Sequence, residues 1–153
     1  MTMLLTLGWV GLAEFLHPIK SQAHPSQEKP GSMMGHGGHT AKVKEIPNGQ
    51  PIPTVKLIAR PDVMKGWNVE VQVTNFRFAP ERVNQSSDVK EGHAHLYLNG
   101  QKIARLYGNW YHLESLKPGK HTLTITLNTN THEDLTYKGK VISASTLIEV
   151  PKR

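Results

Sequence analysis

The sequence has no cysteine. That absence removes a disulfide scaffold, a zinc–thiolate site, a cysteine nucleophile, a lipid-modified bacterial anchor and the cysteine-ligated blue-copper centre. Long apolar runs are missing too: residues 3–16 are mostly apolar but are broken by Glu14, and a comfortable membrane span needs about 20 residues. Positive side chains are plentiful, 18 Lys and Arg against 12 Asp and Glu for a net charge of +6, yet they are scattered through Lys42, Lys56, Arg60, Arg77, Lys90 and Arg105. A nucleic-acid surface would gather them around aromatics, so no nucleic-acid partner is expected. The charge reads as solubility, with some attraction to anionic membrane surfaces.

What is present divides the 153 residues into one domain of about 100 to 130 residues and an arm. The short apolar run leads to Ser21-Gln22-Ala23, small residues of the kind a signal peptidase reads. Residues 1–23 are therefore expected to be a signal peptide and the mature chain periplasmic or secreted, with no stable membrane span after cleavage. An uncleaved anchor and an amphipathic helix are the alternatives, since no Lys or Arg precedes the run. Removing residues 1–23 takes away Lys20 and Glu14, one charge of each sign, so the mature chain keeps +6. Residues 24–53 are poor in large apolar side chains and cannot offset the entropy of ordering, which predicts a disordered arm. Within it lies Met33-Met34-Gly35-His36-Gly37-Gly38-His39, where soft thioethers suit copper(I) and imidazoles suit copper(II), zinc and nickel. The same tract also reads as an accidental low-complexity segment. Cleavage after Ala23 would leave His24 with a free amine beside its imidazole.

Ordered structure is expected from residue 54, where 54–60 alternates and Pro61-Asp62 stops it. Residues 68–74 alternate cleanly with the valines on one side, the pattern of a half-buried antiparallel strand. Residues 80–92 read as a loop. Asn99-Gly100 is a strong hairpin signal because both residues accept positive φ. A two-residue loop and a three-residue loop with a bulge place Arg105 and Leu106 on opposite faces, and the sequence leaves that register open. Further strands follow at 101–107, 110–113, 120–127 and 141–150, with a polar loop at 128–140. About seven strands with regular turn signals and no internal helix describe an all-β antiparallel sandwich of the immunoglobulin or cupredoxin kind.

The stretch with most chemistry is Gly92-His93-Ala94-His95-Leu96-Tyr97. Alternation puts His93, His95 and Tyr97 on one face and Ala94 and Leu96 on the other. Histidines two apart on a strand stand about 6.5 to 7 Å apart at Cα, close enough for their rings to converge on one ion. A zinc or copper(II) centre wants three or four protein ligands, and His112 and His132 are the candidates to complete the set. The plainer reading is a pair of half-exposed histidines facing water. Neutral imidazole binds a metal and imidazolium does not, so with ordinary histidines occupancy is expected to fall below about pH 6.5. By parity His121 shares the face of Leu123, Ile125 and Leu127, but it stands at a strand's start and reads as structural.

Gly92-His93-Ala94-His95-Leu96, then a hairpin, then Pro118-Gly119-Lys120-His121-Thr122-Leu123, then an Asn-rich loop ending in His132, resembles a family of small exported bacterial β-sandwich domains of unknown function. The likeness spans residues 68–150 and implies fold and export rather than activity. Asn75-Phe76-Arg77-Phe78-Ala79-Pro80 is similar, more loosely, to the first Phe-x-Phe-x-Pro segment of cupredoxins. His-x-His on a β-sandwich also resembles copper-zinc superoxide dismutases, whose wider ligand set this chain lacks.

Three functions compete. The first is an exported copper- or zinc-binding protein, with the metal ion and another periplasmic or surface protein as partners. The second is a metal-free adhesion or ligand-binding module using an aromatic surface of Tyr97, Tyr107, Trp110 and Tyr111, against which Trp110 also reads as a core residue. The third is an enzyme drawing on His132, Glu133 and Asp134. Neighbours in a loop point different ways and no nucleophile accompanies them, so no catalytic residue is assigned.

Overall fold

The computed structural model describes residues 42–152. The expected signal peptide and the His/Met tract lie outside the described residues. The remainder forms eleven strands: β1 (Val43–Glu45), β2 (Thr54–Pro61), β3 (Trp67–Thr74), β4 (Arg77–Phe78), β5 (Glu91–Leu98), β6 (Gln101–Leu106), β7 (Trp110–Leu113), β8 (Gly119–Asn128), β9 (Asp134–Tyr137), β10 (Lys140–Val141) and β11 (Ser143–Val150). Among the described residues no helix is long and apolar enough to cross a membrane.

Two sheets face one another, as the alternation predicts. The smaller has the order β2-β3-β7, and the larger runs β1-β9-β8-β5-β4, with β11 beside β8, β6 beside β5 and β10 beside β9. Val69 and Val71 of β3, Leu57 of β2 and Leu113 of β7 come from one side; Ala94, Leu96, Leu123, Ile125, Leu127 and Ile148 come from the other. These side chains form the core, and each large one fully withdrawn from water contributes about 1.5–3 kcal/mol. Most pairing is antiparallel, with β1–β9 and β4–β5 parallel.

Four strands exceed the seven expected, namely β1, β4, β9 and β10, none longer than four residues. Pieces that short show no periodicity, and β1 finds its partner only at residues 134–136. The ordered fold therefore begins well before residue 54: Ile46 is buried in the core, and the Glu45 carboxylate accepts hydrogen bonds from the Thr136 hydroxyl and the Lys138 and Gly139 amides. The Thr136 bond, followed by those amides, holds Glu45 below the usual carboxylate range. Likewise the polar loop expected across 128–140 contains β9 and a tight turn into β10, with Leu135 fully buried.

The hairpin register is resolved. Leu98 pairs with Gln101 across Asn99 and Gly100, whose φ values of 50° and 83° suit a two-residue turn. Pairing then slips: Tyr97 faces Lys102 while Leu96 faces Ala104, so Ile103 is the extra residue of a bulge. Arg105 consequently lies directly opposite His95, and Leu106 points into the core.

Candidate metal centre

Strand β5 carries Ala94 and Leu96 on its inner face, so His93 and His95 point out of the sandwich. Outward residues are normally wet, yet His93 is 0% exposed and His95 6%. A folded-back loop of residues 128–133 accounts for this cover. Its ties are polar. Asn128 accepts the Thr126 hydroxyl and donates to Asp134, the amide of Thr129 donates to the Glu133 carbonyl, and the Glu133 carboxylate accepts from the hydroxyls of Thr129 and Thr131. The loop is fastened to residues 84–87 as well, with Asn130 N–H bonded to Ser87 and Asn84 N–H to the Asn130 carbonyl.

Two backbone features bring loop and strand together. A Cβ on Gly92 would sit 2.0 Å from the carbonyl oxygen of Asn128. Only glycine permits that approach, which explains the residue before His93. His132 has φ 68°, a left-handed conformation that costs a non-glycine residue on the order of 1 kcal/mol. Its amide closes a turn onto the Thr129 carbonyl at 3.0 Å, and the ring is thereby turned onto β5.

The result is a cluster of three imidazoles. His93 Nε2 lies 3.0 Å from His95 Nε2, the rings of His93 and His132 are 4.8 Å apart, and His95 stacks on His132 at 6.0 Å. One ligand atom from each of His93, His95 and His132 falls within 4.8 Å of the other two. Metal–imidazole bonds of about 2.0–2.1 Å put adjacent ligands about 2.9 Å apart at a right angle and about 3.4 Å apart in a tetrahedron. The His93–His95 spacing already suits either, and a small approach of His132 completes the set. With Nε2 of His132 donating to Asn84 Oδ1 at 3.3 Å, Nδ1 keeps its lone pair for an ion. Among the described residues Nδ1 of His93 is buried without a hydrogen-bond partner, and an ion on Nε2 would leave it so.

Electrostatics keep the rings neutral. Burial, then repulsion from His95 and His132, pushes His93 down to about 3. Burial, then Lys102 and Arg105, pushes His95 down to about 4. His132 is lowered by burial, then by Arg105 and Lys102. All three are lone-pair donors across the neutral range. Protonation of the cluster therefore begins below the value near 6.5 expected of ordinary histidines, with His132 lowered and His93 and His95 lowered further.

The structure brings three of the four expected ligands together and leaves His112 out. His112 is an exposed residue of β7 in the other sheet, paired with Asn68 of β3, whose side-chain oxygen lies 3.4 Å from Nδ1. A position near a strand end does not reveal which sheet the strand joins. His121 is structural: Asn99 Nδ2 donates to its Nδ1 at 3.0 Å while its Nε2 donates to the Lys117 carbonyl at 2.8 Å. The four aromatics of the alternative reading lie on two sheets, Tyr97 on β5 and Tyr107 just past β6 in one, Trp110 and Tyr111 on β7 in the other. Tyr107 packs 5.2 Å from His93 and Tyr97 6.4 Å from His95, Tyr111 packs against the core, and Trp110 is exposed rather than buried. Glu133 and Asp134 are occupied in holding the loop. Sequence reasoning missed Asn84, which reaches His132 from 48 residues away; Arg105 was left open by the hairpin register that the bulge decides, and Tyr107 was read only as an aromatic surface residue. No family model, curated protein or solved structure matches this chain.

Proposed function

We propose that this protein is an extracytoplasmic metal-binding protein that holds copper(II) or zinc through His93, His95 and His132. The observation that carries the reading is the convergence of three neutral imidazoles, two of them buried, on one point of an otherwise polar sheet face. Imidazole nitrogen suits both metals, and a three-histidine set leaves at least one coordination position for a non-protein ligand. A partly open site of this kind fits carriage and exchange of an ion better than a closed structural centre. The separate partner protein and the exported location belong to the same proposal.

Titration of the purified chain with copper(II) and with zinc, followed by metal analysis, tests it. The expected result is one equivalent per chain. Loss of a ligand should weaken binding by more than the roughly 10- to 100-fold that follows loss of an outer-shell partner. The variants are His93→Ala with His95→Ala, and separately His132→Asn, which keeps a residue tolerant of the left-handed backbone. Unchanged affinity in either variant sinks the proposal.

A further inference from the structure

The bulge in β6 gives the cluster an electrostatic surrounding that three imidazoles alone would not have. A divalent ion bound by neutral rings keeps its full charge. On the same outer face, Arg105 stands directly across from His95 and Lys102 across from Tyr97. Tyr107, whose ring is 5.2 Å from that of His93, accepts a hydrogen bond from Arg105 Nη1 at 3.3 Å, so the guanidinium is steadied beside the site. The acids flanking the ligands in the chain are tied elsewhere, Glu91 to cations and the other two, still charged, to neutral donors of their own loop. Glu91 is paired with Arg77 and Arg82, Glu133 is bonded to Thr129 and Thr131, and Asp134 is bonded to Asn128. The donor group contains no carboxylate. Metal and side chains together concentrate positive charge at the rim formed by β6, where Arg105 and Lys102 stand and no ligand is a carboxylate.

We propose that the open coordination position of the bound metal takes an exogenous small oxyanion, a carboxylate or an inorganic oxyanion, held between the ion and the Arg105 guanidinium with Lys102 as the second charge. Arg105 and Lys102 are exposed, within reach of an anion from solvent, and the planar fork of arginine matches such an anion in two contacts. The inference rests on the metal reading and extends it, since it makes anion and metal bind together. Each should tighten the other, because linkage is reciprocal.

The test uses the full chain carrying one equivalent of copper(II). Azide serves as reporter through its charge-transfer absorption on copper, and acetate and inorganic phosphate are added as competitors. Azide is expected to bind, with displacement by acetate marking a carboxylate site and displacement by phosphate an inorganic one. Arg105→Gln with Lys102→Gln should weaken azide and the effective competitor by tenfold or more, while copper stays at one equivalent. Arg105→Lys alone should recover part of the loss. Equal anion affinity in wild type and double variant overturns the inference, as does the absence of any azide band on the copper-loaded chain; in both cases the metal reading stands. If no copper is taken up, both fall.

Discussion

On one side of β5, Ala94 and Leu96 lie at 0% exposure among the aliphatic side chains of both sheets. On the other side His93 is equally inaccessible, but its cover is a polar loop, and one of its ring nitrogens has no partner. The inner face is stabilised by transfer from water and close packing. The outer face spends stability: a buried polar atom left unbonded costs about 1–3 kcal/mol, and the left-handed His132 adds to it. A strand of an antiparallel sandwich built for stability alone keeps apolar residues inward and polar ones in water, and the outer face of β5 departs from that by withdrawing its histidines.

The largest effect should come from the inner face. Leu96→Ala removes a fully buried side chain, and unfolding by denaturant should show a loss of about 2–5 kcal/mol. Metal stoichiometry measured without denaturant should be unchanged. If the ion is lost while the chain remains folded, the two faces are not separable in this way.

Acid sharpens the comparison from the outer side. In the unfolded chain these imidazoles take protons near pH 6.5, whereas in the folded chain His95 waits until about 4 and His93 until about 3. Between those limits the unfolded state holds more protons, so stability of the metal-free protein rises with pH there. It should be flat above about pH 6.5 and fall by on the order of a few kcal/mol as pH drops toward 3. The variant His93→Leu with His95→Leu should lose most of this limb, measured by melting at a series of pH values. An undiminished limb in that variant would assign the acid sensitivity elsewhere.

The smallest effect belongs to the histidine left outside. His112→Ala, at an exposed position on the other sheet, should alter stability by no more than about 0.5 kcal/mol and leave metal affinity as it is. A drop in affinity, read by the same titration, would mean that the second sheet contributes a ligand after all.

Much of this was legible in the chain because it is local. The valines of β3, the Asn99-Gly100 turn and the alternation of β8 each declare themselves within eight or ten residues. So does the pairing of His93 with His95, a matter of strand parity alone. Illegible were the features that depend on distant partners. His132 could be named as a histidine in a loop, but its approach depends on Gly92, on Asn84 and on a left-handed backbone. His112 had the same standing in sequence and went to the other sheet. The place of Arg105 turned on one bulged residue, Ile103, which alternation does not announce.

Strand β1 has a bearing on the order of events during synthesis. It is among the first parts of the domain made, yet its partner lies about 90 residues later, since Val43 is opposite Asp134 and the Lys42 carbonyl accepts the Asp134 amide. Asp134 also anchors the segment that carries the third imidazole. Contacts so widely separated in the chain close late. A nascent chain will therefore expose its paired imidazoles before His132 can join them, and the three-ring cluster awaits completion of the fold.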